Sequence, residues 1–549
     1  MSDLIQVKAV SDWPRFLDAS QSHAVRSPLV CAPRKNLEMT SSQTNQKPLA
    51  VDHSSRVTLV PLTEIARAGQ QSRSLSVDYS LTRRALGLAI GSLLIAGCLS
   101  LMLMIGRMPV FSSWVSDPLF FKRCLVLHVD LALIVWFFSF AAALYSLLPG
   151  DRSSHTAYRV GFAIAGIGVL AMMGGTLIPG TAPVLANYVP VIDNPVYVAG
   201  VAIFFGGLLL CFINERLFVR PMEVSEHAPA SVWEPFRVTP DVATALKTTA
   251  LAYLVAMTTF VVSWAATPRE LDAKAYYELV FWGGGHVLQV ANVAAMLAVW
   301  LLLLSSLLKS AVLSPGTARV LFALLLTPHL IGPLLTMDGT TGATYRLGFT
   351  RLMQFGIAPV VLIILTICAR RLRQAWRVGA IGKADLRDPR LVGFAASAAL
   401  TITGFLMGSA IRNSNTMIPA HYHASIGAVT VAFMTVAYLL LKPLGFTLPG
   451  TRLARLIPWQ LCLFGFGQVI FAIGFGLGGM HGLSRKAYAT EQHIRSVGEL
   501  VGLGVMAFGG LIAVAGGLLF LLLMVRAGQA RIAPDISKLQ LEPLARSNV

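Results

Sequence analysis

The chain alternates between long apolar runs and short polar connections over most of its 549 residues. About twelve runs have the ~20 or more apolar residues that a helix needs to cross roughly 30 Å of hydrocarbon. A membrane β-barrel would instead show weaker segments of about ten residues with alternating polarity. The pattern predicts an all-α, polytopic membrane protein whose twelve or so transmembrane helices lie near residues 82–106, 124–148, 158–178, 195–217, 244–266, 278–308, 317–337, 344–369, 390–411, 420–441, 457–480 and 498–525.

The two ends of the chain differ from this pattern. Residues 1–80 are polar, include the stretch TSSQTNQKP and show no sustained period, which is typical of a disordered segment. They also lack a basic start followed by an apolar core, so we expect no cleaved secretory signal. We therefore predict a cytoplasmic disordered tail over 1–80, a membrane domain over 81–528 and a cytoplasmic C-terminal tail over 529–549.

The net charge of +18 is explained by where the basic residues lie. Arginines and lysines concentrate in every second connection between the apolar runs, as with Arg83 and Arg84 before the first run and Lys442 and Arg452 after the tenth. This is the positive-inside pattern, which places those connections and both termini in the cytoplasm. The charge thus reports topology, and the partner it predicts is membrane lipid, with no nucleic acid.

The six cysteines are scattered, mostly within the apolar runs, and the sequence contains no Cys-x-x-Cys pair. That spacing excludes a covalently attached c-type haem and a paired-thiolate metal site in this sequence. Any metal chemistry of the chain must therefore rely on other ligands.

Five of the eleven histidines fall inside the predicted spans. Ionisable side chains are costly in a membrane and commonly mark function. Because neighbouring spans run in opposite directions, the topology places all five in the outer half of the membrane: His128, His286, His329, His421 and His423. A single buried histidine is usually a hydrogen-bonded core residue, but scattered core histidines have no reason to share a depth. Neutral imidazole is the commonest metal ligand, so the set predicts metal binding.

His421 and His423 are two residues apart at the start of the tenth run. Successive residues of a helix are turned by ~100°, so these two imidazoles point about 200° apart. They cannot serve one compact site, and each can bind a different centre. Two metal planes flanking one helix fit this spacing, and haem iron held by an axial histidine is the simplest such arrangement.

The segment AHYHASIGA around these histidines resembles the His-aromatic-His of the tenth helix in subunit I of the heme-copper oxidases, the family of cytochrome c oxidases, quinol oxidases and nitric oxide reductases. The resemblance extends over about residues 80–530. It implies two haems: a high-spin haem held by His421, and a low-spin haem held by His423 together with His128 in LVLHVDLALIVWFF. It also implies copper or another non-haem metal, held by His286 in FWGGGHVLQVANVAAMLAVW and His329 in LLLTPHLIGPLL.

A second match is the segment GGMHGLSRKAYA after the eleventh run, which is similar to the family's Gly-Met-Pro-Arg-Arg segment. The resemblance implies that Arg485 and Lys486 pair with haem propionates, and arginine is suited to this because it binds carboxylates bidentately. It further implies that His421, His286 and His329 form the catalytic centre. The implied location is a bacterial-type inner membrane, with electrons supplied by a partner subunit, cytochrome c or quinol.

The sequence departs from the family around the non-haem metal. Family members commonly have His-His in the seventh helix, whereas this chain has Pro328-His329 and shows only two metal histidines. The missing donor is a water, a polar side chain or His493, and the spacing selects none of these. Leu288 and Val290 stand where many oxidases carry a proton-conducting glutamate and a redox tyrosine.

Two polar or glycine-rich features lie beside the histidines. Asp130 comes two residues after His128 and therefore faces away from it; it is a proton-path residue or the partner of a cation.

The run Gly283-Gly284-Gly285 lacks the Lys-Ser/Thr of a phosphate loop, and close packing against a macrocycle or a neighbouring helix explains it.

The sequence therefore predicts the catalytic subunit of a respiratory terminal oxidase, in which electrons reach O2 at the high-spin haem and metal centre. Three alternatives stay open. A nitric oxide reductase needs neither the redox tyrosine nor a proton pump. A haem-binding electron-transfer relative would have a diminished metal site. A secondary transporter with about twelve spans would show halves related by a repeat and would leave the histidines unexplained.

Overall fold

The structure is a computed structural model that describes residues 76–106, 119–219, 238–485 and 494–530. These residues form twelve helices that are long and apolar enough to cross a membrane, so the predicted all-α polytopic architecture is confirmed. Most of the two predicted tails lies outside the described residues. We number the helices α1–α12: Tyr79–Ser100, Phe120–Tyr145, Arg152–Thr176, Pro195–Phe212, Pro240–Ala266, Ala273–Leu308, Pro315–Met337, Ala343–Arg377, Pro389–Ser409, Met417–Leu440, Thr451–Met480 and Val497–Gln529.

Several helices begin at polar residues whose side chains cap the first turn. Asp151 accepts a hydrogen bond from the backbone N–H of Ser154 at the start of α3, and Asn194 accepts one from Tyr197 at the start of α4. Such caps satisfy N–H groups that have no partner inside the helix. Pro195 then occupies the first turn of α4, where its missing N–H costs nothing. The polar residues between the apolar runs therefore fix where the spans begin.

Three helices form the centre of the bundle. We compared how much of the most apolar stretch of each helix is buried inside the protein. This share is 89% in α6, 78% in α10 and 72% in α2, and it is 33–50% in the other nine helices. A membrane helix that is enclosed by protein rather than by lipid can carry polar side chains at a lower cost. These three central helices carry four of the five histidines that the sequence predicts as ligands.

Glycines bring neighbouring outer helices into backbone contact. A Cβ atom built on Gly161 of α3 would lie 2.5 Å from the carbonyl oxygen of Gly207 in α4, and Gly200 of α4 faces the backbone of Gly168 in α3. The same arrangement pairs α11 with α12, where Gly467 faces the backbone of Ala513. Small residues allow this approach, which is how membrane helices associate without a hydrophobic driving force between them.

Two histidine-bearing helices depart from regular α geometry next to the histidine. In α2, a π-helical turn spans Asp130–Val135, directly after His128 and Val129. In α7, a 3₁₀ stretch spans Thr327–Ile331 and contains His329. Pro328 lies in that stretch and lacks the N–H that a regular helix would use. Mid-helix π and 3₁₀ turns frequently occur at functional sites.

A short hairpin connects α3 to α4 at the end of the bundle where α2, α6 and α10 begin. Its strands are β1 (Pro183–Val184) and β2 (Val191–Ile192), which pair antiparallel with Pro183 opposite Ile192. The hairpin lies against the first turns of α6 through two side-chain contacts, from Asn187 to Glu278 and from Tyr277 to Asp193.

Candidate functional site

Four of the five predicted ligands hold their imidazole in the same way. In each, Nδ1 lies within hydrogen-bond distance of a backbone carbonyl oxygen, which can only accept, so Nδ1 carries the proton. The pairs are His128 with Ala96 (2.7 Å), His286 with Trp282 (2.7 Å), His329 with Leu325 (2.9 Å) and His421 with Gly404 (2.7 Å). Nε2 is then the unprotonated nitrogen that carries the lone pair. Metal-binding histidines almost always donate their other N–H to such a partner.

His128 and His423 lie at one level because their helices share an aromatic contact. Phe433 of α10 stacks on Phe140 of α2 at 4.5 Å between ring centroids and meets Trp136 edge-on at 6.3 Å. His128 precedes Trp136 by eight residues and Phe140 by twelve, and His423 precedes Phe433 by ten. At 1.5 Å per residue, His128 lies about 12–18 Å and His423 about 15 Å from the aromatic contact, each toward the N-terminal end of its helix. The geometry supports the shared depth that the topology predicts.

The two histidines of α10 face different neighbours, as their spacing predicts. His421 turns toward α9, where its Nδ1 reaches the carbonyl of Gly404. His423 turns toward α11, where its ring stacks on Phe475 at 5.4 Å and meets Phe471 edge-on at 4.9 Å. Both side chains are half-buried. The two imidazoles of α10 therefore meet different helices, as separate metal centres on either side of α10 would require.

His286 of α6 and His329 of α7 form a separate pair. The two imidazoles are close enough to interact electrostatically, and both are buried, with 3% and 1% of their surface exposed. Among the residues that the structure describes, none makes a well-aligned hydrogen bond to Nε2 of His329, although the backbone of Leu352 is close to the ring. A buried polar atom without a partner is costly unless something else satisfies it. A metal ion is one such partner, so these two residues fit the predicted second metal.

The described residues provide no third conventional ligand in the same part of the site. Among the residues that the structure describes, no three or more His, Cys, Asp or Glu side chains are grouped so that they could hold a metal. His493, one of the three candidates for the missing donor, lies outside those residues. The remaining candidates from the sequence are a water and another polar side chain.

Tyr188 of the hairpin contacts His286, and the sequence analysis did not single it out. Its hydroxyl lies 2.9 Å from Nε2 of His286, and the two ring centroids are 4.6 Å apart. Burial, together with the nearby carboxylate of Glu278, raises the pKa of the Tyr188 phenol above its usual range, so it stays a neutral donor. No pattern in the sequence indicates this contact, because Tyr188 precedes His286 by 98 positions and lies in the segment that connects α3 to α4.

The three consecutive glycines of α6 are explained by aromatic side chains that pack on them. A Cβ on Gly283 would lie 2.7 Å from Cε2 of Phe349, a Cβ on Gly284 would overlap Phe260, and one on Gly285 would overlap Tyr188. The predicted close packing is therefore present, and its partners are aromatic rings from neighbouring elements. The glycines let these rings surround His286.

Asp130 is buried and bonded to a tyrosine rather than to a cation. Its Oδ2 accepts a hydrogen bond of 2.6 Å from the hydroxyl of Tyr197 in α4, and it is fully excluded from solvent. Its other oxygen, Oδ1, has no hydrogen-bond partner among the described residues. The cation partner considered from the sequence is therefore not what holds it.

The segment after α11 is tied to the start of α10, which brings Arg485 near the two histidines. Ser484 pairs with Asn415, and the N–H of Thr416 donates to the carbonyl of Leu483 at 3.0 Å. His421 follows the first residue of α10, Met417, by four residues, or about 6 Å along the helix axis. Arg485 thus lies at the end of α10 that carries His421 and His423, whereas Lys486 lies outside the described residues.

Together these features define a class of protein: a helical bundle with twelve candidate membrane spans, in which four imidazoles are oriented by backbone carbonyls. The sequence model of the family described as "Cytochrome C and Quinol oxidase polypeptide I" matches residues 80–513. The chain belongs to this family, the subunit I family of the heme-copper oxidases. The predicted membership is confirmed, and the transporter alternative is excluded.

Two related proteins and one solved structure are similar to this chain over most of its length. An uncharacterized protein of Rickettsia prowazekii (strain Madrid E) is 25% identical over 514 residues, which cover 82% of this chain and 96% of that protein. An uncharacterized protein of Aquifex aeolicus (strain VF5) is 26% identical over 379 residues, covering 69% and 89%. The cryo-EM structure of a heme-copper terminal oxidase dimer matches with a TM-score of 0.59 at 14% identity, over 83% of this chain and 85% of that one. At that identity the likeness concerns the fold.

Family membership fixes the general chemistry. The family is one of membrane oxidoreductases of the terminal-oxidase type, which generally bind haems and a metal centre. Its members take electrons from donors and use O2 or nitric oxide. The chain is accordingly a multi-pass membrane protein of an oxidoreductase family.

Gly356 provides a test of the His329 position. A Cβ at this residue would lie 2.6 Å from Cε1 and 3.1 Å from Nε2 of His329. We expect Gly356→Ala to displace the imidazole, to destabilise the protein by about 1–3 kcal/mol and to lower the content of non-haem metal. Metal per haem and thermal unfolding measure both effects. Gly206→Ala is the control, because a Cβ there meets nothing within 4 Å; full metal content in Gly356→Ala would contradict the placement.

Proposed function

We propose that the chain is the catalytic subunit of a respiratory terminal oxidase that reduces O2. The observation that carries the proposal is shared by four imidazoles: in each, Nδ1 donates to a backbone carbonyl, so that Nε2 is the nitrogen whose lone pair could bind a metal. Histidines that only fill a core need not share one hydrogen-bonding pattern. Metal ligands commonly share it, because the partner of Nδ1 sets the tautomer and the ring orientation.

Each histidine has its own role in this proposal. His128 and His423, at one level on α2 and α10, would hold the low-spin haem, and His421 would hold the high-spin haem. His286 and His329 would hold the non-haem metal, copper or another ion, and would form the catalytic centre together with His421. When bound, the haems and the metal supply the redox chemistry, and the protein supplies position and electronic tuning. Arg485 and Lys486 would bind haem propionates through charge-assisted hydrogen bonds.

The electron donor lies outside this chain. The sequence has no Cys-x-x-Cys pair, so it holds neither a c-type haem nor a paired-thiolate metal site of its own. We therefore propose a partner subunit, cytochrome c or quinol as the source of electrons. Both termini are proposed to be cytoplasmic in a bacterial-type inner membrane, with tails over 1–80 and 529–549 flanking the haem-binding domain over 81–528.

Nitric oxide reduction is the second candidate, and the interior of α6 favours it. Leu288 and Val290 are buried and apolar at the positions where many oxidases carry a glutamate and a tyrosine. A reductase of nitric oxide requires neither residue. A haem-binding electron-transfer relative is the third candidate, because the described residues contain no group of three conventional metal ligands.

Gas turnover by the purified protein separates the three candidates. We expect reduced protein to consume O2 faster than nitric oxide at equal concentration. Faster consumption of nitric oxide would replace the proposal by the reductase. Inertness to both gases, with haem bound and reducible, would favour the electron-transfer relative. Metal analysis of the same preparation establishes whether the non-haem site is filled.

A further inference from the structure

The hydrogen bond between Tyr188 and His286 has a defined direction. Nδ1 of His286 donates to the carbonyl of Trp282, so the neutral ring carries no proton on Nε2. The hydroxyl of Tyr188, 2.9 Å from Nε2, must therefore be the donor. The lone pair of Nε2 is the one with which His286 would bind a metal. The phenol and the metal thus compete for a single pair of electrons.

The hairpin that carries Tyr188 is held in place on α6 itself. The backbone N–H of Asn187 donates to Glu278 at 3.0 Å, and the side-chain amide of Asn187 donates to the same carboxylate. The hydroxyl of Tyr277 donates to Asp193 at 3.0 Å, at the far end of the hairpin. Both anchoring residues of α6 lie within its first two turns, ahead of His286. The position of Tyr188 is therefore set by several contacts, not by the phenol alone.

The surface of α6 is shaped to receive the phenol. Gly285 directly precedes His286, and a Cβ at that position would overlap the Cβ and ring of Tyr188. Trp282 encloses the other side, with its ring centroid 5.9 Å from that of Tyr188 and 4.7 Å from that of His286. The Tyr188–His286 contact is thus a packed arrangement of two elements that are far apart in sequence.

From this geometry we propose that Tyr188 controls occupancy of the non-haem metal site: its hydroxyl must leave Nε2 of His286 before a metal can bind there. The inference rests on the proposed role of His286 as a metal ligand. It adds Tyr188 to the site, together with a competition between its hydroxyl and the metal for Nε2 of His286.

Removing the hydroxyl tests the competition directly. The full-length, haem-containing protein is freed of non-haem metal with a chelator and titrated with Zn²⁺, which is redox-inert and binds imidazole. A typical intramolecular hydrogen bond corresponds to roughly a two- to tenfold change in an equilibrium constant, so we expect Tyr188→Phe to bind Zn²⁺ about two- to tenfold more tightly than the parent. Binding is read from competition with a chromophoric chelator, and His286→Ala gives the background from other sites.

Tyr276→Phe is the matched control. Tyr276 is also a tyrosine at the start of α6, but its hydroxyl pairs with Arg269, outside the contact with His286. We expect its Zn²⁺ affinity to equal that of the parent. Asn187→Ala removes one anchor of the hairpin without touching His286, and we expect a change in the same direction as Tyr188→Phe but smaller.

Thermal unfolding distinguishes competition from a general packing role. If the hydroxyl must leave Nε2 when a metal binds, Tyr188→Phe lowers the Tm of the metal-free protein and leaves the Tm of the Zn²⁺-loaded protein unchanged. If Tyr188 had a purely structural role, Tyr188→Phe would lower the Tm of the metal-free and of the Zn²⁺-loaded protein equally, and that result would overturn the inference.

Equal or weaker Zn²⁺ affinity in Tyr188→Phe would overturn it as well, while leaving His286 as a ligand. Zn²⁺ binding that is unaffected by His286→Ala in every variant would overturn the proposed metal site too.

Discussion

Replacing His423 by alanine is expected to remove the low-spin haem and to leave the high-spin haem in place. The haem content should fall from about two to about one per chain, because an axial imidazole is lost from one centre only. His421 is unaffected, since its ring is oriented by Gly404 of α9, whereas His423 lies against Phe471 and Phe475 of α11. Haem extraction and the optical spectrum of reduced protein with and without carbon monoxide measure the result.

The control for this experiment is a histidine that is not among the predicted ligands. His155 in the first turn of α3 is half-buried, and its Nε2 lies 3.3 Å from the carbonyl oxygen of Ser76. His155→Ala should keep both haems. If His423→Ala also kept both haems, or lost both together, the assignment of one imidazole of α10 to each centre would be wrong.

Replacing His286 by alanine is expected to abolish turnover while both haems stay bound. Changing residues that merely orient a metal ligand typically costs 10- to 100-fold, so removing the ligand itself should lower the rate by more than about a hundredfold. The proposed haem ligands are on α2 and α10, where His128 and His421 are oriented by the carbonyls of Ala96 and Gly404, so the haem spectrum should be retained. Gas consumption and haem content of the same preparation test both halves of the prediction.

Retained activity in His286→Ala would count against a working second metal. Loss of haem in that variant would instead show that the residue supports the bundle, for which the packing of Tyr188 and Trp282 on the imidazole gives a reason. His155→Ala again serves as the comparison, because it removes an imidazole without disturbing α6.

Hydrophobic patterning was sufficient to predict the twelve spans, since each needs a long apolar run whatever its neighbours are. Boundaries were less accurate: α6 was expected from about residue 278 and begins at Ala273. Asp272 causes the difference, because its side chain accepts hydrogen bonds from the N–H groups of Lys274 and Ala275 and caps an additional polar turn. The opposite directions of His421 and His423 were also predictable, because they follow from helical geometry alone.

Contacts between distant segments were not predictable from one sequence. Tyr188 lies in a connection without periodic pattern, and only the anchoring of its hairpin to Glu278 brings it to His286. The π turn after His128 likewise depends on how α2 packs among its neighbours, since a π-helical register leaves no simple pattern in sequence. Proline at 328 did offer a local signal for the 3₁₀ turn around His329.

The most direct test of the account is a reduced-minus-oxidised optical spectrum of the purified full-length protein, expressed in cells that supply haem and quantified against protein content. The account predicts haem absorption bands, about two haems per chain, and a shift on adding carbon monoxide to the reduced protein that affects one haem only. A purified protein that folds in the membrane but carries no haem would contradict it.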